Sequence, residues 1–357
     1  MKKITKIALV LISLACAVCA FAGADTLTAC GVPQIFVDVF GMGSAGASAA
    51  FVLPLGEQQT GLVLAYKNEE LIADQVMPVK VLDGKQLSFK YYERTKGDAF
   101  TVPDTRVGRL SEPNKINLTG VEKSDFCVAR GLEDVIPNED IEQIVNKERF
   151  VNTHLQSLIN LVLLGREKVV ADLVQNTSNY GIHKTYDANE GIGATDFNIV
   201  ETLLEYLEMP LVRPNKLGMN ASTFAKLRMD PNVIKALYPN SNGGGVVTRQ
   251  QLCELFEVDS IIVGRSRINT NKNPKSPTLE RCWGNHIWAH YSEPLSTLTD
   301  GIAWGMTAQV GERYTEIVDD KKLGLKGAEI IKTGMYQKEV VLCKDAGFLL
   351  KNVVKTA

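Results

Sequence analysis

The sequence is poor in the residues and motifs on which catalysis most often depends. It has four histidines among 357 residues, and it contains neither a GxSxG motif nor a phosphate-binding loop. Its net charge of −2 at pH 7 provides no overall positive field to attract nucleic acid. These features therefore indicate no enzyme, cofactor or metal site, although they do not exclude an enzyme.

The cysteines are too few and too scattered to predict a disulfide framework. Two of the seven lie near the N-terminus, and the other five are odd in number and far apart. These five are Cys30, Cys127, Cys253, Cys282 and Cys343. Isolated cysteines of this kind are most often small buried hydrophobic residues in a reducing compartment. The pattern favours a cytoplasmic body.

The first 24 residues indicate a different location. Three lysines precede an apolar run from Ile7 to Phe21, and Ala20 and Ala22 are small residues where a signal peptidase would cleave. The run is shorter than the roughly 20 apolar residues that span a membrane. Taken alone, this leader predicts an exported protein cleaved after Ala22. No second long apolar run follows, so we expect no membrane segment in the mature body.

Two short motifs suggest chemistry that their context does not support. Residues 41–46 fit the GxGxxG pattern, but the helix of a dinucleotide site would meet Pro54 within two turns. His286 and His290 have the i, i+4 spacing of zinc hydrolases, yet Ile287 replaces the glutamate that acts as general base. We interpret the segment HIWAH as a partly buried strand.

The residues after an arm rich in Gly, Ala and Ser (25–60) predict a long hairpin. Two extended runs, at 79–100 and 116–132, flank a charged segment that contains Pro103 and Pro113. An isolated hairpin of this kind is barely stable, so it needs a surface to pack against. We therefore expect a two-stranded arm with a polar tip, in contact with another part of the structure.

A very long helix is predicted next, followed by a compact α/β unit. Asn138 is a candidate N-cap, and apolar residues then recur at helical spacing up to Gly181. Unbroken, this helix would be about 60 Å long. Residues 195–305 alternate between amphipathic helices and short strands, with a flexible loop at 240–245, and the C-terminal part is mostly extended.

Five phrases, in this order, resemble one family. They are LAYKNEELIADQVMP (64–78), AFTVPDTRVGR (99–109), GLEDVIPNEDIE (131–142), LVLLGREKVVADLV (161–174) and GMYQKEVVLCKDAGFLLKNVV (334–354). Together with the order of arm, hairpin, long helix and α/β unit, they are similar to the major capsid proteins of tailed bacteriophages, which have the Hong Kong 97 fold. The resemblance covers about residues 51–355.

The resemblance implies an α+β fold with an N-terminal arm, a long extension-loop hairpin, a long spine helix with peripheral strands and a compact α/β axial domain. The implied boundaries are 1–24 for the leader, 25–75 for the arm, 76–136 for the extension loop, 137–195 and 306–340 for the peripheral domain, and 196–305 and 341–357 for the axial domain. The implied function is a structural subunit that self-assembles into the icosahedral shell around a phage or prophage genome.

The extension loop provides the candidates for contacts between subunits. Its aromatic side chains are potential apolar anchors, and its tip carries charges of both signs, which suits docking against a neighbour. The alternatives are packing on the subunit's own spine helix and a merely solvated loop. The candidates are Phe89, Tyr91, Tyr92, Arg94, Asp98, Phe100, Asp104, Arg106 and Arg109.

The resemblance also implies partners and a location. The chain would form hexamers and pentamers, with the axial domains at the centre of each ring and the loop 240–245 near the axis. A portal and a scaffold or protease of the phage would join it, and packaged double-stranded DNA would touch the inner face without sequence preference. The subunit would belong to the virion capsid and assemble in the cytoplasm of the bacterial host.

The leader conflicts with assembly in the cytoplasm, and three explanations remain open. It is an extra arm, a segment removed during maturation, or an upstream extension of a chain that starts at Met42. Two alternative functions also remain. One is the shell of a nanocompartment, which shares the fold and encloses an enzyme. The other is an exported binding protein, which only the leader supports.

Overall fold

The computed structural model describes residues 70–82, 86–93, 102, 104–109, 111–115, 121–194, 196–240, 244–271, 278–293, 295–299 and 301–355. All of them belong to one unit, Gln59–Ala357. The leader, the arm up to residue 60, Met42 and the GxGxxG motif lie outside the described residues, as do residues 241–243 of the predicted axial loop.

The described residues form a mixed structure of helices and strands. The helices are α1 (Ala73–Val76), α2 (Asn138–Glu142), α3 (Lys147–Val174), α4 (Ile199–Glu208), α5 (Ala221–Arg228), α6 (Pro231–Leu237) and α7 (Arg249–Phe256), with a 3₁₀ turn at Thr177–Asn179. The strands are β1 (Val79–Leu82), β2 (Ser88–Glu93), β3 (Val121–Phe126), β4 (Val128–Pro137), β5 (Ile182–Thr185), β6 (Lys216–Asn220), β7 (Ser260–Gly264), β8 (Arg267–Asn269), β9 (Leu279–Arg281), β10 (Ile287–His290), β11 (Gly305–Asp320), β12 (Ala328–Val341) and β13 (Gly347–Lys351).

The long helix exists, but its predicted start, cap and end are wrong. α3 has 28 residues, which corresponds to about 42 Å, and its N-cap is Asn146, whose side chain accepts a hydrogen bond from the Arg149 amide. The Asn138 side chain instead donates to the Lys326 carbonyl at 3.1 Å, so it ties α2 to the turn between β11 and β12. The helix ends at Val174, before Gly181.

A four-stranded sheet packs against the N-terminal half of α3. Its strand order is β1-β11-β12-β4, with β11, β12 and β4 antiparallel and β1 parallel to β11. Leu155 and Ile159 of α3 meet Ile331 and Met335 of β12 in one hydrophobic cluster. The prediction of a mostly extended C-terminal part is confirmed.

A five-stranded sheet packs against the C-terminal half of the same helix. Its order is β5-β13-β10-β6-β7, and its two faces are both covered. Helices α4 to α7 cover one face, where Leu203 and Phe256 pack against the sheet residue Leu217. Val174 of α3 and Trp288 of β10 belong to the cluster on the other face. One helix therefore serves both sheets.

The caps of the short helices explain where they begin. The Asn220 side chain accepts a hydrogen bond from the Thr223 amide at the start of α5, and β6 followed by α5 agrees with the predicted alternation of strands and helices. Thr248 and Gln251 form a capping box at the start of α7. These local signals fix the helices of the layer that covers the five-stranded sheet.

A buried carboxylate joins the two halves of the structure. Glu167 of α3 is fully buried and accepts hydrogen bonds from the amides of Ile72 and Ala73, from the Ser266 hydroxyl at 3.2 Å and from the Trp283 indole at 2.6 Å. We call these five residues the Glu167 cluster. Burial raises the pKa of Glu167, and these hydrogen bonds oppose the increase by favouring the charged form.

The neighbouring residue extends this polar centre. Arg166 is also buried, pairs with Asp74, and donates to the Thr307 hydroxyl of β11 at 3.2 Å. Thr307 in turn donates to the Met77 carbonyl. Adjacent residues of α3 therefore attach residues 72–77 to both sheets.

We expect Glu167→Ala to lower the free energy of unfolding by about 3–5 kcal/mol, because it leaves several buried donors without an acceptor. Glu167→Gln retains one acceptor oxygen and a similar volume, so its loss should be smaller. Urea denaturation followed by tryptophan fluorescence measures both. Equal stability of Glu167→Ala and the wild-type chain would contradict the role of this carboxylate.

Candidate functional site

The predicted hairpin is confirmed only for β2 and β3, because β1 and β4, which overlap the outer ends of the two predicted runs, join the four-stranded sheet instead. β2 and β3 pair antiparallel, with Ser88 opposite Phe126 and Glu93 opposite Val121. Two ion pairs cross between the strands, Lys90 with Glu122 and Lys123 with Glu93. Such exposed pairs stabilise a hairpin only weakly, so its position depends on packing against the rest of the chain.

The aromatic residues at the base of the hairpin pack on their own subunit. Phe89 is only 7% exposed and belongs to a cluster with Met306 and Val340 of the four-stranded sheet. Tyr91 is half-buried against the same cluster, and the Tyr92 amide donates to the Leu298 carbonyl at 3.3 Å. The packing surface is the sheet and not the long helix that the sequence suggested. Little of the Phe89 side chain remains for a neighbouring subunit.

The described part of the hairpin tip is exposed. Asp104, Arg106 and Arg109 are all solvent-accessible. Asp104 organises this segment, because its carboxylate accepts from the Arg106 amide at 3.0 Å and its carbonyl accepts from the Asn114 side chain at 2.8 Å. Val102 is 92% exposed. Arg94, Asp98 and Phe100 lie outside the described residues.

The base of the hairpin covers only one end of the outer face of the four-stranded sheet. Beyond it, this face exposes two tyrosines and two valines, and it contains a cavity of about 390 Å³. These exposed residues are Val135, Tyr314, Val318 and Tyr336. We call this region the open sheet face. An exposed apolar sheet surface of this kind is typical of an interaction site.

Two glycines form the floor of the open sheet face. Gly131 of β4 lies opposite Gly334 of β12. A Cβ atom on Gly131 would lie 2.9 Å from the Thr333 carbonyl oxygen, and one on Gly334 would lie 2.8 Å from that of Arg130. The close approach of the two strands therefore requires glycine at both positions. The sequence did not predict this site, because the residues around each glycine contain nothing that indicates which distant residue it pairs with.

The turn between β11 and β12 is a second surface that sequence reasoning missed. Leu325 is almost fully exposed there, and Leu323 is partly exposed. Lys321 and Lys322 lie beside them. An apolar residue surrounded by charge at the end of a long hairpin is a candidate contact point, although the turn contains no motif that would predict one.

The predicted strand is confirmed as β10, which contains His290, and His286 lies directly before it. Residues four apart in a strand are roughly 13 Å apart, so His286 and His290 cannot bind one ion through adjacent turns of a helix. The Nδ1 atom of His286 accepts from the Asn352 amide at 3.0 Å. Burial lowers the pKa of His286 to about 4 and that of His290 to about 3. Both rings are therefore neutral at pH 7.

Other chemical features of the described residues are few. Three of their four cysteines are buried, as expected for small hydrophobic residues. Within the same ranges, no three His, Cys, Asp or Glu side chains are arranged to hold a metal ion. None of the described helices is both long and apolar enough to cross a bilayer.

Comparison with known proteins gives a consistent result. No protein-family model matches the sequence. The chain is 31% identical over 303 residues to the major capsid protein of Pseudomonas phage JBD67, covering 84% of this chain and 97% of that protein. It is 24% identical over 308 residues to the major capsid protein of Burkholderia phage BcepMu, covering 82% and 95%. A crystal structure of a phage-related protein from Bordetella bronchiseptica RB50 has a similar fold, with a TM-score of 0.62, 19% identity and coverage of 83% and 96%.

Substitutions at the base and at the tip of the hairpin should have different effects on the free energy of unfolding. We expect Phe89→Ala to lower the free energy of unfolding by about 3–5 kcal/mol, because it leaves a cavity in a buried cluster. Arg106→Glu should change it by less than about 0.5 kcal/mol, because the side chain is exposed. Chemical denaturation of the two variants under the same conditions tests this difference, and equal losses would contradict it.

The buried histidine predicts acid sensitivity. Because the folded-state pKa of His290 is about 3, against an ordinary value of 6.5, the unfolded chain binds more protons between these values. Stability is therefore lost as the pH falls below about 6.5. Neither ring nitrogen of His290 has a partner among the described residues, so His290→Leu should retain stability at pH 7. Thermal unfolding from pH 7 to pH 4 should show a smaller decrease for this variant, and an unchanged decrease would contradict the assignment.

Proposed function

This chain belongs to the family of phage major capsid proteins, and from that premise we propose that the hairpin tip docks on the open sheet face of a neighbouring subunit. The protein is a structural subunit that self-assembles into a phage capsid shell, and its location is the virion capsid. The proposal concerns how the described surfaces make that assembly.

The observation that carries the proposal is the division of the hairpin into a packed base and an exposed tip. Phe89 fixes the base on its own sheet, while Arg106 and Arg109 have no such core to pack against. The open sheet face has exposed tyrosines and carries Glu133, Glu316 and Lys332. Lys332 pairs with Glu133 at 3.8 Å, so the three groups together leave one excess negative charge. Arginine and tyrosine are favoured at protein interfaces, so the two surfaces suit each other in residue type and charge.

The finer assignments of the fold family belong to the same proposal. Residues 76–136 would be the extension loop, 25–75 the arm, 137–195 with 306–340 the peripheral domain that contains the spine helix, and 196–305 with 341–357 the axial domain. Heterologous contacts of this kind close into rings, here hexamers and pentamers. The proposed role is wholly structural, without catalysis.

The proposed assembly also has partners outside the chain. A portal and a scaffold or protease would act with it in the cytoplasm of the bacterial host, and packaged double-stranded DNA would contact the inner face through nonspecific charge interactions. The relatives favour a phage shell over a nanocompartment, because both are phage major capsid proteins. An exported binding protein has no support among the described surfaces.

We expect the chain from Gly23 and the full chain, each expressed in the bacterial cytoplasm, to form shells or ring-shaped oligomers by negative-stain electron microscopy. Arg106→Glu/Arg109→Glu should remain folded but lose assembly, because it reverses the charge of the proposed docking tip. Sedimentation velocity provides the size distribution, and circular dichroism verifies the fold.

The matched control is Lys147→Glu/Arg149→Glu, which reverses two exposed charges in the first turn of α3. Acidic residues suit the N-terminus of a helix, so this change should not unfold the chain. It should assemble as the wild type does. A monomeric wild-type chain would contradict shell assembly from this subunit alone, and assembly of the Arg106/Arg109 variant would contradict only the role of the tip.

A further inference from the structure

A cavity with net negative charge lies at one edge of the five-stranded sheet. It has a volume of about 610 Å³ and lies between the segment after β5 and the start of α4. Four carboxylates and two lysines line the cavity, which gives it a net charge of −2. The carboxylates are those of Glu190, Asp196, Glu201 and Glu205. The cavity therefore favours a cationic ligand.

A buried hydroxyl in the cavity wall lacks a partner. Tyr186 is only 3% exposed, and its hydroxyl oxygen has no hydrogen-bond partner among the described residues. Burial raises the pKa of Tyr186, and the charges of Glu190 and Glu205 raise it further, so both carboxylates act on the phenol. A buried polar group without a partner is unfavourable. A donor entering the cavity would satisfy it.

The opposite edge of the same sheet carries the matching charge. The guanidinium groups of Arg228 and Arg249 lie over the Phe224 ring, at 5.4 and 5.6 Å from its centroid. Helices α5 and α7, which carry these arginines, both contact the edge strand β7. Met229 and Val246 are exposed beside the pair. Arginine, methionine and a buried aromatic ring together are typical of an interface centre.

We propose that the acidic cavity of one subunit binds the Arg228 and Arg249 side chains of the next subunit in a ring. The proposal rests on the capsid function proposed above and deepens it by naming a second contact. The cavity is at the β5 edge and the arginines are at the β7 edge, four strand spacings or roughly 19 Å apart. Different surfaces at opposite edges make a head-to-tail contact, which forms a ring when the rotation between neighbours closes.

The chemistry of the contact is specific. A guanidinium group donates up to five hydrogen bonds, so one arginine can bind a carboxylate of the cavity and also donate to the Tyr186 hydroxyl. Leu204 is partly exposed on α4 beside the acidic residues, and it provides an apolar rim to meet Met229. The contact would give the Tyr186 hydroxyl the hydrogen-bond partner that it lacks in the free subunit.

A charge exchange in the full chain tests the contact. We expect Glu190→Lys/Glu205→Lys to weaken ring formation about tenfold or more in sedimentation velocity, and Arg228→Glu/Arg249→Glu to do the same. The Arg228 side chain also donates to the Val247 carbonyl, so Arg249→Glu alone is the second basic variant. One chain with all four reversals should recover assembly, because the two surfaces are again complementary.

The Tyr186 hydroxyl provides an independent test. Tyr186→Phe should leave the melting temperature of the free subunit equal or higher, yet weaken ring formation several-fold, because only the assembled state has a partner for the hydroxyl. Tyr180→Phe is the matched control, since its hydroxyl is also buried without a described partner but lies outside the cavity. It should leave ring formation unchanged.

The outcomes separate this inference from the function on which it rests. The proposed contact would be overturned if the reversal variants assemble like the wild type, or if the chain with all four reversals does not recover assembly. Either result would leave the capsid function intact. A wild-type chain that forms no oligomer at any salt concentration would contradict both. Salt should weaken the wild-type rings, because the contact is largely electrostatic.

Discussion

The buried carboxylate of Glu167 is the interaction on which the rest of the described fold depends. A charge inside a protein is unfavourable unless polar groups replace its water, and here the donors come from residues 72–73, Ser266 and Trp283. The next residue, Arg166, attaches the same turn of α3 to Thr307 of the four-stranded sheet. Two adjacent side chains thereby fix both sheets and the segment that leads into the hairpin.

This constraint explains why the interaction surfaces have defined positions. Residues 72–77 are attached to α3, β1 follows them directly, and the base of the hairpin packs on the four-stranded sheet through Phe89. The tip extends beyond this support and is exposed. Because the described base is already packed, it loses little further freedom when the hairpin docks, which lowers the entropic cost of binding a neighbour.

Local patterns predicted the elements better than their connections. They predicted the extended runs that contain β2 and β3 and the alternating helices and short strands of residues 195–305, because these signals lie within a few residues. The predicted start of α3 was wrong because the Asn138 side chain donates to the carbonyl of Lys326, which is far along the chain. The aromatic residues of the hairpin were found, but the burial of Phe89 depends on Met306 and Val340. The Gly131–Gly334 pair likewise has no local signal.

One group that folding leaves unsatisfied, the Tyr186 hydroxyl, lies where the proposed ring contact begins. Glu167 is buried with four donors, so the chain completes that site by itself. Tyr186 is almost equally buried, yet its hydroxyl is without a described partner and faces excess negative charge. A folded chain tolerates such a group only at a cost to its stability. In the proposed ring, the donor that Tyr186 lacks comes from the next copy, and the cost in the free chain becomes a driving force for the contact.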